Sequence, residues 1–239
     1  MLGRDHALLG GVVGLAVVGP VAALVGRGGL GAGQLAASLV VTAGFALLPD
    51  IDEPGSTVAR RLGPLSEAAA WVTNRLAGGH RHATHSLVFA AAAGAGVWWL
   101  ARFALAAPIL VFVAAALTLR MLLPAGLARR GPLLLGLAGP ALAGWATWRA
   151  VSGGWLTAPA SVHDPRLWRW LWLSAALGIV AHLVGDAVTP EGVPVAWPAP
   201  WRVAVPVLGP TGGWREHLVG AALSVLLIVL AVSKLGRLL

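Results

Sequence analysis

Three stretches of this chain carry side chains able to hold a metal ion. Residues 80–86 read HRHATHS, three imidazoles and a guanidinium at the head of a long apolar run. Residues 182–186 read HLVGD; His182 and Asp186 are four apart, so on a helix they share a face and can chelate one ion. Residues 48–53 read LPDIDE, with Asp50 and Asp52 immediately after a helix stopped by Pro49. Alternate residues of an extended segment point to opposite sides, so one aspartate is expected to ligate while the other orients a histidine or acts as a base. Each stretch has a plainer explanation when taken alone: a polar pair between helices, histidines and Arg81 among lipid headgroups, a solvated acidic loop. His217, after Glu216, reads as an interfacial residue, and His163-Asp164 as a loop feature.

Taken together, these residues define a chemistry. The chain has no cysteine, so any ion must be held by nitrogen and oxygen. Such donors suit Zn²⁺ first, with Mn²⁺ or Fe²⁺ as alternatives. The donors exceed what one tetrahedral ion needs, which makes a two-metal centre an expectation. Such centres stabilise both the attacking and the leaving oxygen of a phosphoester. Arg81 is then placed to clamp a phosphate oxygen, and Thr84 and Ser86 to hydrogen-bond the ligands from behind.

The elements that must position these groups are membrane helices. The chain is 58% hydrophobic and only 11% charged, with a mean hydropathy of +0.81; a soluble domain carries about 25% charge. The net charge of +8 comes from arginines that flank apolar runs, which suits anionic headgroups rather than nucleic acid. No cleavable signal is expected, because Met1–His6 is short and the first apolar run can span. The spans are expected near 7–26, 34–48, two within 83–123 with a turn at Arg102, 132–150, 167–188 and 217–238. Residues 66–77 read as an amphipathic helix at the interface, anchored by Trp71, and residues 191–215 as a loop packed on the membrane surface.

The expected architecture is therefore all-α: a polytopic helical bundle of about seven transmembrane helices in a single domain, 1–239, with metal-site loops at 49–86 and 182–216. Following the crossings puts every histidine but His163 on one face. That face also carries the larger share of arginines, which makes it the cytoplasmic one by the positive-inside rule.

The ordered set of His6, LLPDIDEPGS, HRHATHS and HLVGDAVTPEGVPVAWP resembles the YdjM-like family of bacterial inner-membrane proteins, described as metal-dependent hydrolases, from His6 to Pro198. That family is distantly similar to zinc-dependent phospholipase C, which is helical and uses several His and Asp ligands. The resemblance implies metal ligands at His6, Asp50, Asp52, His80, His85, His182 and Asp186, with Arg81, Asp50 and Asp52 in catalysis. It implies supporting roles for Thr84, Ser86 and Thr189, and matches Gly192. Two positions depart from the family pattern: Asp5 stands where threonine is expected, and His82 where a small residue is usual, as an incidental or supporting group.

The function expected is cleavage of a phosphoester of a lipid or lipid-linked substrate, at a bacterial inner membrane crossed several times. Partners are then membrane lipids and that substrate. Two other readings stand beside it. One is a regulatory membrane protein with a structural metal, in line with the family's association with a DNA-damage repressor-binding label. The other is a metal or solute transporter, although transport sites normally lie near the bilayer midplane rather than at helix ends.

Overall fold

A computed structural model describes residues 1–26, 30–61, 64–103, 106–122 and 170–235. Within them the chain forms helices α1 (Gly3–Ala16), α2 (Val18–Leu24), α3 (Ala32–Phe45), α4 (Thr57–Arg61), α5 (Pro64–Ala77), α6 (Leu87–Leu100), α7 (Ala106–Leu122), α8 (Leu171–Ala187) and α9 (Trp214–Leu235). Short 3₁₀ turns cover Pro49–Asp52 and Ala83–His85. No β-strand occurs among the described residues; Val193 and Val203 form an isolated bridge.

Among the described residues, two helical runs are long and apolar enough to cross a membrane: Gly33–Asp52 and the 22-residue α9. The pair α1 and α2, bent by 43°, makes a third if counted as one span. The expectation of about seven crossings therefore exceeds what helix length alone supports. Helix α6 has 14 residues and α7 and α8 have 17 each. At 1.5 Å per residue these are roughly 21–26 Å long, against about 30 Å of hydrocarbon. The turn expected at Arg102 is present, and the first helix of that run starts later than expected. Ser86 stops the apolar run from extending back to Ala83, and α6 ends at Leu100 with Arg102 folded over the Trp98 ring at 4.5 Å. The expected span at 132–150 and the His163-Asp164 loop lie outside the described residues.

The largest apolar cluster lies toward the helix ends away from the histidines, and smaller ones flank the site. In it Val18, Ala37, Val97, Val111 and Leu171 pack together, from the α1–α2 pair, the first half of α3, the end of α6, the first half of α7 and the start of α8. The other ends of α1, α3, α6 and α8 meet around the histidines. Two glycines permit that meeting. A Cβ on Gly178 would lie 2.5 Å from the Thr42 carbonyl oxygen, so only glycine lets α8 abut α3 there. A Cβ on Gly185 would lie 3.1 Å from the His6 ring, which stacks in the space glycine leaves. Helix α5 carries exposed Trp71 and Leu76 beside buried Ala70, and Arg75 lies over the Trp71 ring at 4.7 Å. This is the composition of a helix lying along an interface.

Candidate metal centre

The site is assembled from four helix ends. Helix α3 stops at Phe45, and Pro49 opens the 3₁₀ turn that carries Asp50 and Asp52. The chain returns from α5 through Gly78 and Gly79, both at positive φ, and then Arg81, a non-glycine residue at φ 57°. A side chain in that region costs roughly 1–3 kcal/mol and persists only when its surroundings dictate it. Here they do: the Arg81 backbone N–H donates to Asp52 Oδ2 at 3.3 Å, and its guanidinium is buried. Ser86 then caps α6, accepting from the Phe89 N–H at 3.2 Å. His182 and Asp186 lie one turn apart near the end of α8.

His182 and His85 are turned toward each other by bonds at their far nitrogens. The Nδ1–H of His182 donates to the Ala46 carbonyl at 2.8 Å, which leaves Nε2 with its lone pair. The Nδ1 of His85 lies 3.1 Å from Thr84 Oγ1 and 3.3 Å from Asp52 Oδ2. The Thr84 hydroxyl donates to Asp52, so it accepts from His85, and His85 Nε2 is likewise bare. The two Nε2 atoms are 3.1 Å apart. Asp50 Oδ1 lies 3.7 Å from that of His182 and 3.8 Å from that of His85. Asp186 Oδ2 lies 3.5 Å and 3.7 Å from the same two atoms. Four tetrahedral ligands at zinc bond lengths sit about 3.3 Å from one another. Two lone pairs and two carboxylate oxygens at these separations could hold a divalent ion, and the donor set fits one.

Asp52 has a different task. Its carboxylate, fully buried, accepts from His80 Nδ1 at 2.6 Å, from the Arg81 N–H and from Thr84, and also contacts His85 Nδ1. Its oxygens are occupied by protein donors, which makes it an orienting carboxylate behind His80 and His85. Asp50 is the more open of the two, 18% exposed at its side chain. Burial works against a charged His85, but the Asp50 and Asp52 carboxylates outweigh it and raise its pKa above the usual histidine value.

His6 stacks on His182, with ring centroids 3.8 Å apart and planes inclined by 16°. Its Nε2 lies 3.1 Å from Asp186 Oδ1, yet both its ring nitrogens are buried without a hydrogen bond. Buried imidazole nitrogens without a hydrogen bond are the kind of donor a metal ion would satisfy. Three donor groups overlap in a row: His6, His182 and Asp186; Asp50, His85 and His182; Asp52, His80 and His85. In each, the three ligand atoms lie within 4.8 Å of one another, and the shared histidines make one continuous cluster.

Of the remaining expected residues, His82 and His217 lie outside the cluster, while Ser86, Thr189 and Arg81 have protein partners. His82 is exposed and bonds the His80 carbonyl, because the left-handed turn at Arg81 swings consecutive side chains to opposite sides. Ser86 is a helix cap rather than a support for a ligand: its hydroxyl donates to the Ala83 carbonyl and accepts from Phe89. Thr189 bonds the Asp186 carbonyl at 2.7 Å and accepts from Arg81 Nη1 at 3.2 Å. His217 is exposed on α9. Arg81 is not a free clamp. Its Nη2 lies 3.0 Å from Asp186 Oδ2 and its Nη1 lies 3.1 Å from Glu191 Oε2.

Sequence reasoning missed three supporting groups. Glu216 is buried at the start of α9 and accepts from the Leu2 and Gly212 N–H groups, anchoring the segment that carries His6. Met1 N contacts Asp186 Oδ1 at 2.6 Å. Arg202 bonds the carbonyls of Glu191, Arg81 and Gly192, tying the 189–192 loop to the 80–82 loop. The available signals were a carboxylate heading an apolar helix and an arginine in a Trp/Pro-rich loop.

Apolar helices around a buried His/Asp cluster define a class: helical membrane proteins with groups that could hold a metal ion. The profile of the YdjM inner membrane protein family matches residues 1–237, and the chain belongs to that family. The inner membrane protein YdjM of Escherichia coli (strain K12) is 42% identical over 50 residues, 20% of this chain, and the protein of the same name from Shigella flexneri is equally similar. The match spans 26% of the length of each of these relatives. No solved structure matches the chain. Family and apolar helices together assign the chain to the inner membrane.

Proposed function

We propose that this protein is a multi-pass, metal-dependent hydrolase that cleaves a phosphoester of a lipid or lipid-linked substrate, with its site on the cytoplasmic face of a bundle of about seven spans. The reading is carried by the facing Nε2 atoms of His85 and His182, with Asp50 Oδ1 within 3.8 Å of both. Three protein ligands and an open fourth position are the catalytic pattern for zinc, whereas a shell closed by four is the structural one. Asp186 separates the two patterns. Its Oδ2 is ion-paired with Arg81 Nη2 at 3.0 Å but makes no hydrogen bond, and the hydrolase reading takes it as the partner of Arg81, leaving three ligands and an open position.

An ion bound there would supply Lewis acidity and lower the pKa of water. The chain's own residues do the rest. Asp50, at 18% the more exposed of the two turn carboxylates, is the third ligand beside His85 and His182, and its second oxygen is left to accept a proton from an attacking water. Asp52 keeps His85 in the tautomer that presents Nε2. Arg81 carries the positive charge that an incoming phosphate meets. The wall behind the histidines is dry, since His6, His85 and His182 are fully buried.

The second reading, a non-catalytic metal, draws on the same geometry. If Asp186 leaves Arg81 and ligates, the shell closes. One experiment separates the two. Metal content of detergent-purified protein is measured for wild type and His182→Ala, alongside turnover of phospholipid and nucleotide esters. The hydrolase reading expects bound divalent metal and turnover in wild type and loss of both in the variant. Turnover retained without His182 rejects this site, and bound metal with no turnover across the ester panel favours the structural ion.

A further inference from the structure

We propose that the Arg81 guanidinium is an oxyanion subsite beside the metal centre, and that Glu191 is its built-in occupant, displaced by an anion of the phosphate class. The inference rests on the hydrolase reading for its choice of anion. The contrast between the two partners is large. The Arg81 side chain is 8% exposed, whereas that of Glu191, 3.1 Å away, is 72% exposed. A buried cation is therefore covered on one side by a carboxylate standing in water. A carboxylate that stays hydrated gains little from the pairing, so it can be exchanged.

The guanidinium also has donor capacity to spare. Its Nε is buried and makes no hydrogen bond. A guanidinium offers five N–H donors in a planar fork, which matches phosphate better than one carboxylate oxygen does. Its other end touches the centre, because Nη2 lies 3.0 Å from the same Asp186 oxygen that is 3.5 Å from His182 Nε2. An anion seated where the Glu191 carboxylate now lies would be one guanidinium width from the ligand cluster.

The exchange needs no movement of the backbone. Arg202 pins the carbonyls of Glu191, Gly192 and Arg81 at 3.2, 3.1 and 3.3 Å. Gly192, at φ 60°, sits where a Cβ would lie 2.4 Å from the Val203 carbonyl oxygen, so this loop is held close against its neighbour. Rotation of the Glu191 side chain alone uncovers the subsite.

The test measures binding rather than turnover. Inorganic phosphate is titrated calorimetrically into metal-loaded protein in detergent, for wild type, Glu191→Gln and the double variant Glu191→Gln/Arg81→Lys. A second arm uses nanodiscs of zwitterionic lipid with and without phosphatidic acid. Glu191→Gln is expected to bind roughly two- to fivefold more tightly at unchanged metal content, and Arg81→Lys to abolish the gain. A gain with inorganic phosphate marks the ligand as a free anion, and a gain confined to phosphatidic acid nanodiscs marks it as a lipid headgroup. Unchanged or weaker binding by Glu191→Gln in both arms overturns the proposal, as does a gain that survives Arg81→Lys. A gain in a protein with no ester turnover supports the subsite and rejects only the hydrolase reading.

Discussion

His85 and His182 meet Nε2 to Nε2 at 3.1 Å, each turned into that position by a bond at its own Nδ1. Two imidazole lone pairs at this distance repel unless a proton or a cation lies between them. The bonds behind the rings therefore determine what the centre can hold.

Asp52→Asn tests those bonds. The amide keeps the shape but can no longer accept from all of His80, Arg81, Thr84 and His85. Loss of such an orienting carboxylate typically lowers metal affinity about 10–100-fold. Competition with a calibrated chelator should show a drop of that order while the protein stays folded by circular dichroism. Unchanged affinity would remove Asp52 from the support of the ligands.

The raised pKa of His85 sets two opposite pH trends. A protonated imidazole cannot ligate, so metal affinity should fall as pH drops through the raised value. In metal-free protein the sign reverses. The folded pKa lies above the ordinary histidine value of about 6.5, so this group's stabilisation is complete below that value and is lost as pH rises through the folded pKa. Thermal melts of metal-free and metal-loaded protein between mildly acidic and mildly alkaline pH should diverge as pH rises. Parallel curves would exclude His85 as a ligand.

Gly178→Ala should push α8 off α3. The added methyl meets the Thr42 carbonyl, and overpacking of this kind costs about 1–3 kcal/mol. His182 lies one turn further along α8, so its bond to Ala46 should stretch and metal affinity should fall with stability. A melting temperature and metal content equal to wild type would show that the helices do not approach this closely.

Arg81→Gly and Arg81→Ala separate backbone from side chain. Both remove the guanidinium, but glycine adopts φ 57° freely while alanine does not. Arg81→Gly should therefore be more stable than Arg81→Ala by about 1 kcal/mol. Equal stability would mean that the turn relaxes out of the left-handed region.

Much of the frame was legible in the residues. Mean hydropathy and sparse charge point to apolar helices in a membrane, because burial of backbone polar groups in lipid demands helices. The four-residue spacing of His182 and Asp186 identifies a shared face, and Pro49 marks the turn that follows α3, which itself ends earlier, at Phe45. The division of Asp50 from Asp52 was expected from an extended segment, but Pro49–Asp52 is a 3₁₀ turn, which separates the two by its rotation instead. The turn at Arg102 was legible from the length of the apolar run, whereas span lengths were less so, since such a run does not reveal a cap such as Ser86.

The rest depended on contacts between residues far apart in the chain. Sequence by itself determined which side chains were available as donors and which helix ends would carry them, because those follow from residue type and local period. Only the tertiary structure decided that Asp52 orients while Asp50 lies against the facing His85 and His182 nitrogens, that His82 turns outward, and that Arg81 is already engaged by Asp186 and Glu191. The reason is physical. Which nitrogen of an imidazole keeps its lone pair is set by the partner at the other nitrogen. For His182 that partner is a carbonyl 136 residues away, brought near by a glycine crossing that no local pattern encodes.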